Sequence, residues 1–241
     1  MINRNAMEKW KTFCYLLSDH HTKTEIEAEV REHVGKTLFV YKQFVETNYN
    51  DPLRYYHTLD HILSCITRLE KLCEREPARA RPPVGRWSVT LTRHGAAEIE
   101  AAIWFHDIIY DARRNDNEEK SADLAKLILI TFDMPGNFIK KVCNMIMLSG
   151  KHLEDNTELT VDEKFFLDID LSILGETTNI YDLYTKQIRK EYSFVEDNIF
   201  CYERKKILDG FLEKKNIYYT EYFRENFQDK AIENLTRRQI Y

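Results

Sequence analysis

Apolar residues recur at steps of three and four along most of this chain, which is the spacing of amphipathic helices. Residues 24–47 and 60–74 show the pattern most clearly. Their apolar positions are Ile26, Val30, Val34, Leu38, Tyr41 and Val45 in the first segment and Ile62, Cys65, Ile66, Leu69 and Leu72 in the second. Each segment is therefore predicted to form a long helix with one face in the core.

One stretch interrupts the helical spacing. Residues 76–95 combine small and basic residues with Pro82, Pro83 and Gly85, and they predict a loop with a short extended piece at Trp87–Leu91. Further helices are predicted at 96–110, 117–131, 136–147, 161–174, 178–192, 195–213 and 218–237. A capping interaction between Asn115 and Glu118 is predicted to begin the helix at residue 117.

These elements predict an all-α protein with a single helical domain. The 241 residues are enough to bury a substantial core, and no internal repeat divides them. We expect residues 1–23 to form an N-terminal helical extension and residues 24–241 to form the main, metal-binding helical domain.

Composition and charge narrow the function classes. Hydrophobic residues make up 43% of the chain and charged residues 31%, as in ordinary soluble globular proteins. The formal net charge of -5 argues against a protein that coats nucleic acid, because such proteins carry a basic excess. We expect no signal peptide and no membrane span. The five cysteines are scattered without a Cys-x-x-Cys pair, which favours a reducing cytoplasmic location.

Four short segments carry the candidate chemistry. They are Tyr55–His61, Trp104–Asp107, Gly150–His152 and Phe166–Ser172. In the first, His57 and His61 lie four residues apart and would share one face if the segment were helical. The second places His106 directly before Asp107, and the third contributes His152.

The acids of these segments stand in apolar surroundings. Asp107 follows the apolar run 101–105, and Asp168 and Asp170 are embedded in the apolar range 165–174. A carboxylate on a buried helix costs free energy unless it is paired, hydrogen-bonded or bound to a cation. A metal ion would satisfy several such groups at once. Imidazole and carboxylate ligands suit a first-row transition metal, with Mg2+ as the ion for a carboxylate-rich second position.

The order His, His-Asp, Asp resembles the pattern of the HD superfamily of metal-dependent phosphohydrolases. Within it, the chain resembles the predicted HD phosphohydrolases marked by Tyr-His-x-Leu-x-His-Ile, Trp-Phe-His-Asp-x-x-Tyr-Asp and Leu-Asp-x-Asp-Leu-x-Ile-Leu-Gly. The matching segments are Tyr56–Ile62, Trp104–Asp111 and Leu167–Gly175, with further matches at Ile188–Tyr192 and Glu233–Leu235. The resemblance covers most of the chain from residue 24 onward and implies an HD-domain-like helical bundle.

The resemblance also implies a set of site residues. The implied ligands of a divalent metal ion (Mn, Mg, Co, Ni, Fe or Zn) are His61, His106, Asp107 and Asp170. Asp170 is favoured over Asp168 because Asp170 and the Leu-Ser that follows it resemble a phosphodiesterase segment. His57 resembles the general-acid histidine in the His-Asn-x-x-His motif of cyclic nucleotide phosphodiesterases.

Other polar residues stay open between two interpretations. Lys151 and Arg189 are candidate contacts for a substrate phosphate, although an amphipathic helix face explains Arg189 nearly as well. His152 is either a further ligand or phosphate contact, or an exposed loop histidine. Asp111 is either an acid that orients a water or a ligating histidine, or a solvated turn residue.

The expected function is hydrolysis of a phosphoester or phosphoanhydride, with a small, nucleotide-like phosphorylated molecule as the substrate. We expect neither nucleic acid nor a membrane as a partner, and the oligomeric state is open. The main alternative is a ligand-binding or regulatory module that keeps the metal site without turnover. A third interpretation is a helical scaffold in which the HD residues only stabilise the core.

Overall fold

The fold is all-α and forms a single domain, as the spacing of apolar residues predicts. The computed structural model describes residues 3–18, 35–74, 93–154 and 158–237, and these ranges contain no strand. The helices are α1 (Arg4–Ser18), α2 (35–49, with a π-helical stretch at Tyr41–Glu46), α3 (Leu59–Glu74), α4 (Arg93–Phe105), α5 (Asn117–Thr131), α6 (Gly136–Ser149), α7 (Val161–Asp170), α8 (Thr178–Glu191), α9 (Asp197–Glu213) and α10 (Glu221–Thr236). None of the helices in these ranges has the length and apolar character that crossing a membrane requires.

Helix α4 is the centre of the bundle. It contacts α1, α3, α5, α6 and α7, and its five consecutive residues from Ala101 to Phe105 are all buried. Five consecutive positions cover every side of a helix, and a helix that is apolar on all sides needs neighbours on all sides. The His106–Asp107 pair therefore follows directly after a helix whose last five residues are enclosed on all sides.

Helix α1 packs into the same core as α4. Ala6, Trp10 and Phe13 are fully buried at helical spacing. The ring of Trp10 meets Trp104 edge-on with 5.1 Å between ring centroids, and its indole nitrogen donates a hydrogen bond to the Thr37 carbonyl at 3.0 Å. The boundary predicted between residues 23 and 24 lies outside the described residues, as does the first half of the helix predicted at 24–47.

The helix predicted at 96–110 is shorter than expected, because it ends at Phe105. Side chains from outside the helix satisfy the carbonyl groups at this point. The Tyr49 hydroxyl donates to the Trp104 carbonyl at 2.9 Å, and the Arg54 guanidinium donates to the carbonyls of Asp107 at 2.6 Å and Ile108 at 3.0 Å. These donors replace the amides that a continuing helix would supply.

The capping interaction predicted between Asn115 and Glu118 is wrong. The residue that precedes α5 is Asp116, and its side chain makes no capping hydrogen bond, because Arg114 binds both of its carboxylate oxygens. Asn117 instead pairs with the backbone of Asp111 through two hydrogen bonds of 3.0 Å. The loop predicted at 76–95, with its extended piece at Trp87–Leu91, lies almost entirely outside the described residues.

A 3-10 turn at Leu171–Gly175 follows α7, where the sequence predicts a single helix over 161–174. The turn lies directly against α10, because a Cβ atom at Gly175 would come within 2.7 Å of the Phe227 backbone oxygen. Asn234 of α10 donates a hydrogen bond to the Leu174 carbonyl at 2.9 Å. These contacts fix the chain immediately after Asp170.

Replacing Trp10 by Ala tests whether α1 is part of the cooperative core. We expect the free energy of unfolding to fall by about 3–5 kcal/mol, the usual effect of removing a large buried aromatic side chain. Urea denaturation of the full chain, followed by circular dichroism, measures it. Glu8→Ala on the exposed side of the same helix is the matched control, and an equally small change in both variants would contradict this packing.

Candidate metal centre

Two histidines and two aspartates from three distant segments meet at one point. His61 lies in the first turn of α3, His106 and Asp107 follow α4, and Asp170 ends α7. The Nε2 atom of His61 is 3.2 Å from Nε2 of His106, 3.2 Å from Oδ1 of Asp170 and 3.6 Å from Oδ2 of Asp107. Helix packing thus brings together all four residues that the resemblance implies as ligands.

The spacing of these donor atoms fits a single metal ion. Nε2 of His106 lies 3.0 Å from Oδ2 of Asp107 and 3.4 Å from Oδ1 of Asp170. Two ligand atoms that are each about 2.1 Å from an ion lie about 3.0 Å apart at right angles and about 3.4 Å apart at the tetrahedral angle. Nitrogen and carboxylate oxygen donors at these separations suit a first-row divalent ion.

A hydrogen bond orients the His106 ring toward the cluster, and the neighbouring carboxylates favour a positive charge next to it. Its Nδ1 atom is 3.0 Å from the Ile103 carbonyl, so the neutral ring carries its proton on Nδ1 and turns the Nε2 lone pair toward the cluster. Burial opposes charge on this ring, but Asp107 and Asp170 outweigh it and raise the pKa of His106 well above its ordinary value. The two carboxylates therefore favour positive charge at His106 and in the space between the donor atoms, supplied either by protons or by a metal ion.

The two aspartates stay ionised and form the more open side of the cluster. Burial would raise the pKa of both acids, but the neighbouring His106 ring dominates and lowers the pKa of each. The side chains of Asp107 and Asp170 are 18% and 17% exposed, whereas those of His61 and His106 are 4% and 3% exposed. Water and a ligand would thus reach the site past the carboxylates.

A thiol borders the site. The Sγ atom of Cys65, one turn along α3, is 3.8 Å from Nδ1 of His61, and Cys65, His61 and Asp170 have donor atoms within 4.8 Å of one another. Burial raises the pKa of Cys65 well above its ordinary value, and Asp170 and Asp107 act in the same direction. Since the thiolate is the form that binds metals, the histidines and carboxylates are the better donor set.

His57 lies beside the cluster but not on the same helix as His61. It sits in the turn before α3, which begins at Leu59, so the shared helical face considered from the sequence does not form. Its ring stacks on Tyr110 with 4.0 Å between centroids, and its Nδ1 atom is 2.7 Å from Oε2 of Glu191. Burial disfavours the charged ring, but Asp107 and Glu191 outweigh it and raise the pKa of His57.

Glu191, at the end of α8, holds the whole His57 turn in place. Its Oε1 atom accepts hydrogen bonds from the backbone amides of Tyr55, Tyr56 and His57 at 2.8, 2.8 and 3.0 Å, and its Oε2 atom also accepts from the Tyr110 hydroxyl at 3.2 Å. Burial would raise the pKa of this carboxyl, but the His57 hydrogen bond and charge lower it to about 2.

Glu191 lies in the matching segment Ile188–Tyr192 but was not among the predicted site residues, although the sequence carries a signal for it. The buried face of α8 runs through Tyr181, Tyr184 and Ile188, and Glu191 continues that face at the next step of three. A carboxylate on the apolar face of a helix is the same signal that singled out Asp107. Arg54, which joins the His57 turn to the Asp107 turn, gave no comparable signal, because its contacts are with backbone carbonyls and the one on Asp107 lies far away in the sequence.

Asp168 and Asp170 point to different parts of the molecule. Asp168 accepts hydrogen bonds from the amides of Tyr219 and Thr220 at 2.7 Å each and from the Thr220 hydroxyl at 2.6 Å. It therefore fixes the chain where α10 begins. Asp170, two residues later and about 200° further around the helix, faces the histidines, so Asp168 has no place in the cluster.

Of the other polar residues that the sequence singled out, one reaches the donor cluster and three have their contacts elsewhere or are exposed. Arg189 is not brought to the cluster, because its guanidinium donates to Asp197 and to the carbonyls of Tyr192 and Val195. Lys151 is half exposed, with its ammonium 3.7 Å from Glu154. Asp111 is a turn residue whose side chain is 46% exposed. His152, by contrast, reaches the cluster with its Nε2 atom 3.0 Å from Oδ2 of Asp170.

Comparisons with known proteins do not extend this description. No protein-family model, no curated protein and no solved structure matches the chain. The chemical interpretation of the site therefore depends on its own residues, distances and charges.

Replacing Asp170 and Asp168 separately by Asn tests which acid serves the metal. Asp170→Asn removes the negative charge of a proposed ligand. Loss of a residue that only supports a ligand lowers metal affinity by about 10- to 100-fold. We therefore expect loss of the ligand itself to lower the affinity for Mn2+ by at least about 100-fold. Asp168→Asn leaves the site intact but sets an NH2 group against at least one of the three donors that now face a carboxylate oxygen, so it should lower stability by about 1–3 kcal/mol instead. Metal titration and thermal unfolding of both variants measure the two effects, and the reverse ranking in metal affinity would transfer the ligand role to Asp168.

Proposed function

We propose that this chain is a metal-dependent phosphohydrolase of the HD type. The observation that carries the proposal is the convergence of the donor atoms of His61, His106, Asp107 and Asp170, which lie 3.0–3.6 Å apart in the pairs given above. These residues also follow the order of the HD pattern along the chain. A chance cluster of two ionised carboxylates in a helical core would be costly unless a cation offset their charge.

The four residues would hold a divalent ion, with Mn, Mg, Co, Ni, Fe and Zn as the candidates. When bound, such an ion polarises a phosphoryl oxygen and lowers the pKa of a water so that hydroxide is present near neutral pH. The protein's own contribution is to place the ligands so that one side of the ion stays open. The buried imidazoles form the floor of the site, and the partly exposed carboxylates leave room for a substrate phosphate on the open side.

His57 would act as the general acid at the edge of the site. Glu191 accepts a hydrogen bond from the Nδ1–H group of His57, so the Nε2 atom is the one that can donate a proton to the oxygen of a leaving group. The stacked Tyr110 ring and the three amides bound by Glu191 keep the imidazole in one orientation. Proton donation from a well-placed group is worth about 10²–10⁴-fold in rate.

The substrate would be a small phosphorylated molecule with a phosphoester or phosphoanhydride bond, nucleotide-like in character. Lys151 remains a candidate phosphate contact, because it adjoins His152 in the sequence and its side chain is half exposed. Arg189 is no longer a candidate, since its nitrogens hold the turn between α8 and α9. The competing function is a regulatory module that binds the metal and a ligand without turnover.

A screen of phosphorylated small molecules separates these two functions. The purified full chain, loaded in turn with Mn2+, Mg2+, Co2+ and Ni2+, should release phosphate from one substrate class and lose that activity with a chelator. His57→Ala should retain its metal and slow hydrolysis by about 10²–10⁴-fold on a substrate with a poor leaving group. An activated aryl phosphate, which needs no proton on its leaving group, should be affected much less.

Asp60→Asn is the matched control, because Asp60 is exposed between the two histidines. It should retain both metal and turnover. Metal binding without turnover on any substrate would favour the regulatory module. Loss of metal in His57→Ala, or an equal rate loss on both leaving groups, would exclude the general-acid role.

A further inference from the structure

The Asp170 carboxylate faces two different neighbours. Its Oδ1 atom lies toward the donor cluster, 3.2 Å from Nε2 of His61 and 3.4 Å from Nε2 of His106. Its Oδ2 atom is 3.0 Å from Nε2 of His152. Thus His152 contacts the outer oxygen of a side chain whose inner oxygen belongs to the candidate metal site.

His152 is held by a part of the fold that contributes no donor to the cluster. Its carbonyl accepts a hydrogen bond from the ammonium of Lys214, the residue that follows α9. Next to it, Leu153 packs on α9 at Gly210, where a Cβ atom would lie 3.3 Å from the leucine methyl carbons. The segment after α6 is therefore fixed against α9, and the imidazole is fixed with it.

In the hydrogen bond between His152 and Asp170, the imidazole is the donor and the carboxylate is the acceptor. An ionised carboxylate only accepts hydrogen bonds, so Nε2 of His152 carries the proton and donates to Oδ2 of Asp170. The same nitrogen cannot bind a metal ion while it donates that bond. The other ring nitrogen, Nδ1, is buried without a hydrogen-bond partner among the described residues, so the contact with Asp170 is the polar interaction that holds this ring.

We propose that His152 is a positioning residue for the metal centre. Its hydrogen bond to Oδ2 stops the Asp170 carboxylate from rotating, so that Oδ1 stays turned toward His61 and His106. This inference rests on the proposed metal site and not on turnover. A group that hydrogen-bonds to a metal ligand on the side away from the ion raises metal affinity by about 10- to 100-fold. The reason is that a ligand that is already oriented loses less conformational freedom when the ion binds.

Titration of the metal-free full chain with Co2+ tests the inference in His152→Leu and His152→Gln. The Leu variant should bind Co2+ about 10- to 100-fold more weakly with an unchanged number of ions per chain. The Gln variant offers an amide N–H at nearly the same reach as Nε2 and should recover most of the affinity. The visible absorption of bound Co2+ should change in the Leu variant, because Asp170 would then coordinate in a different orientation.

Glu154→Gln is the matched control, because Glu154 is an exposed acid of the same segment. Its Co2+ affinity should equal that of the wild type. Unchanged affinity in the Leu variant, or a Gln variant as weak as the Leu variant, would overturn the positioning role. Loss of a whole ion per chain would make His152 a ligand instead. Should the Leu variant fail to fold, His152→Asn, whose shorter amide cannot reach Oδ2, replaces it with the same expected loss.

The titration, read together with the screen of phosphorylated substrates, separates this inference from the proposed function. Wild-type chain that binds Co2+ but turns over no substrate would contradict the phosphohydrolase proposal and leave the role of His152 standing. Unchanged affinity in the Leu variant of an active enzyme would contradict only the role of His152. Wild-type chain that binds no Co2+ would overturn both.

Discussion

The need to offset the charge of two largely buried carboxylates is the constraint on which the rest of the structure depends. Asp107 and Asp170 face two nearly unexposed imidazoles next to the end of the central helix, and because most of each carboxylate side chain is withdrawn from water, solvent screens only part of its charge. Desolvating ionised groups in this way costs several kcal/mol for each ion unless a partner charge restores it. The donor separations of 3.0–3.6 Å fit a divalent cation that meets both carboxylates and both imidazoles at once, which is the partner we propose.

Two further buried charged residues hold the segments that carry these donors. Arg54 ties the turn before α3 to the turn after α4 through three backbone carbonyls. Glu191 binds three consecutive amides of the His57 turn and the His57 ring itself. Each of the two bonds mainly to backbone groups, so side-chain substitutions within the turns leave most of these hydrogen bonds in place, whereas replacing Arg54 or Glu191 would remove them. A site held in this way is already arranged before an ion or a substrate arrives.

The sequence predicts the helices from local spacing, because apolar steps of three and four residues locate them. Carboxylates within apolar runs single out Asp107, Asp168 and Asp170 alike, and only the resemblance to the HD pattern favours Asp170 over Asp168 and implies the two histidines. The helix end at Phe105 depends instead on Arg54, a residue more than fifty positions earlier in the chain, so no local pattern encodes it. The position of His57 in a turn likewise follows from Glu191 on a distant helix. The role of Arg189 could not be predicted for a different reason. A basic side chain on an amphipathic helix gives the same sequence pattern whether it binds a phosphate or donates to the carbonyls of a neighbouring turn, as Arg189 does.

Elemental analysis of metal content tests the central claim most directly. The wild-type chain and the His106→Ala/Asp107→Ala double variant are both loaded with Mn2+, dialysed against metal-free buffer, and checked for helical structure by circular dichroism. The wild-type chain should retain stoichiometric metal and unfold at a higher temperature than its metal-free form, because an ion that binds only the folded state stabilises it. The folded double variant should retain none and show no such shift. Equal metal content in the two folded proteins would contradict the proposed centre.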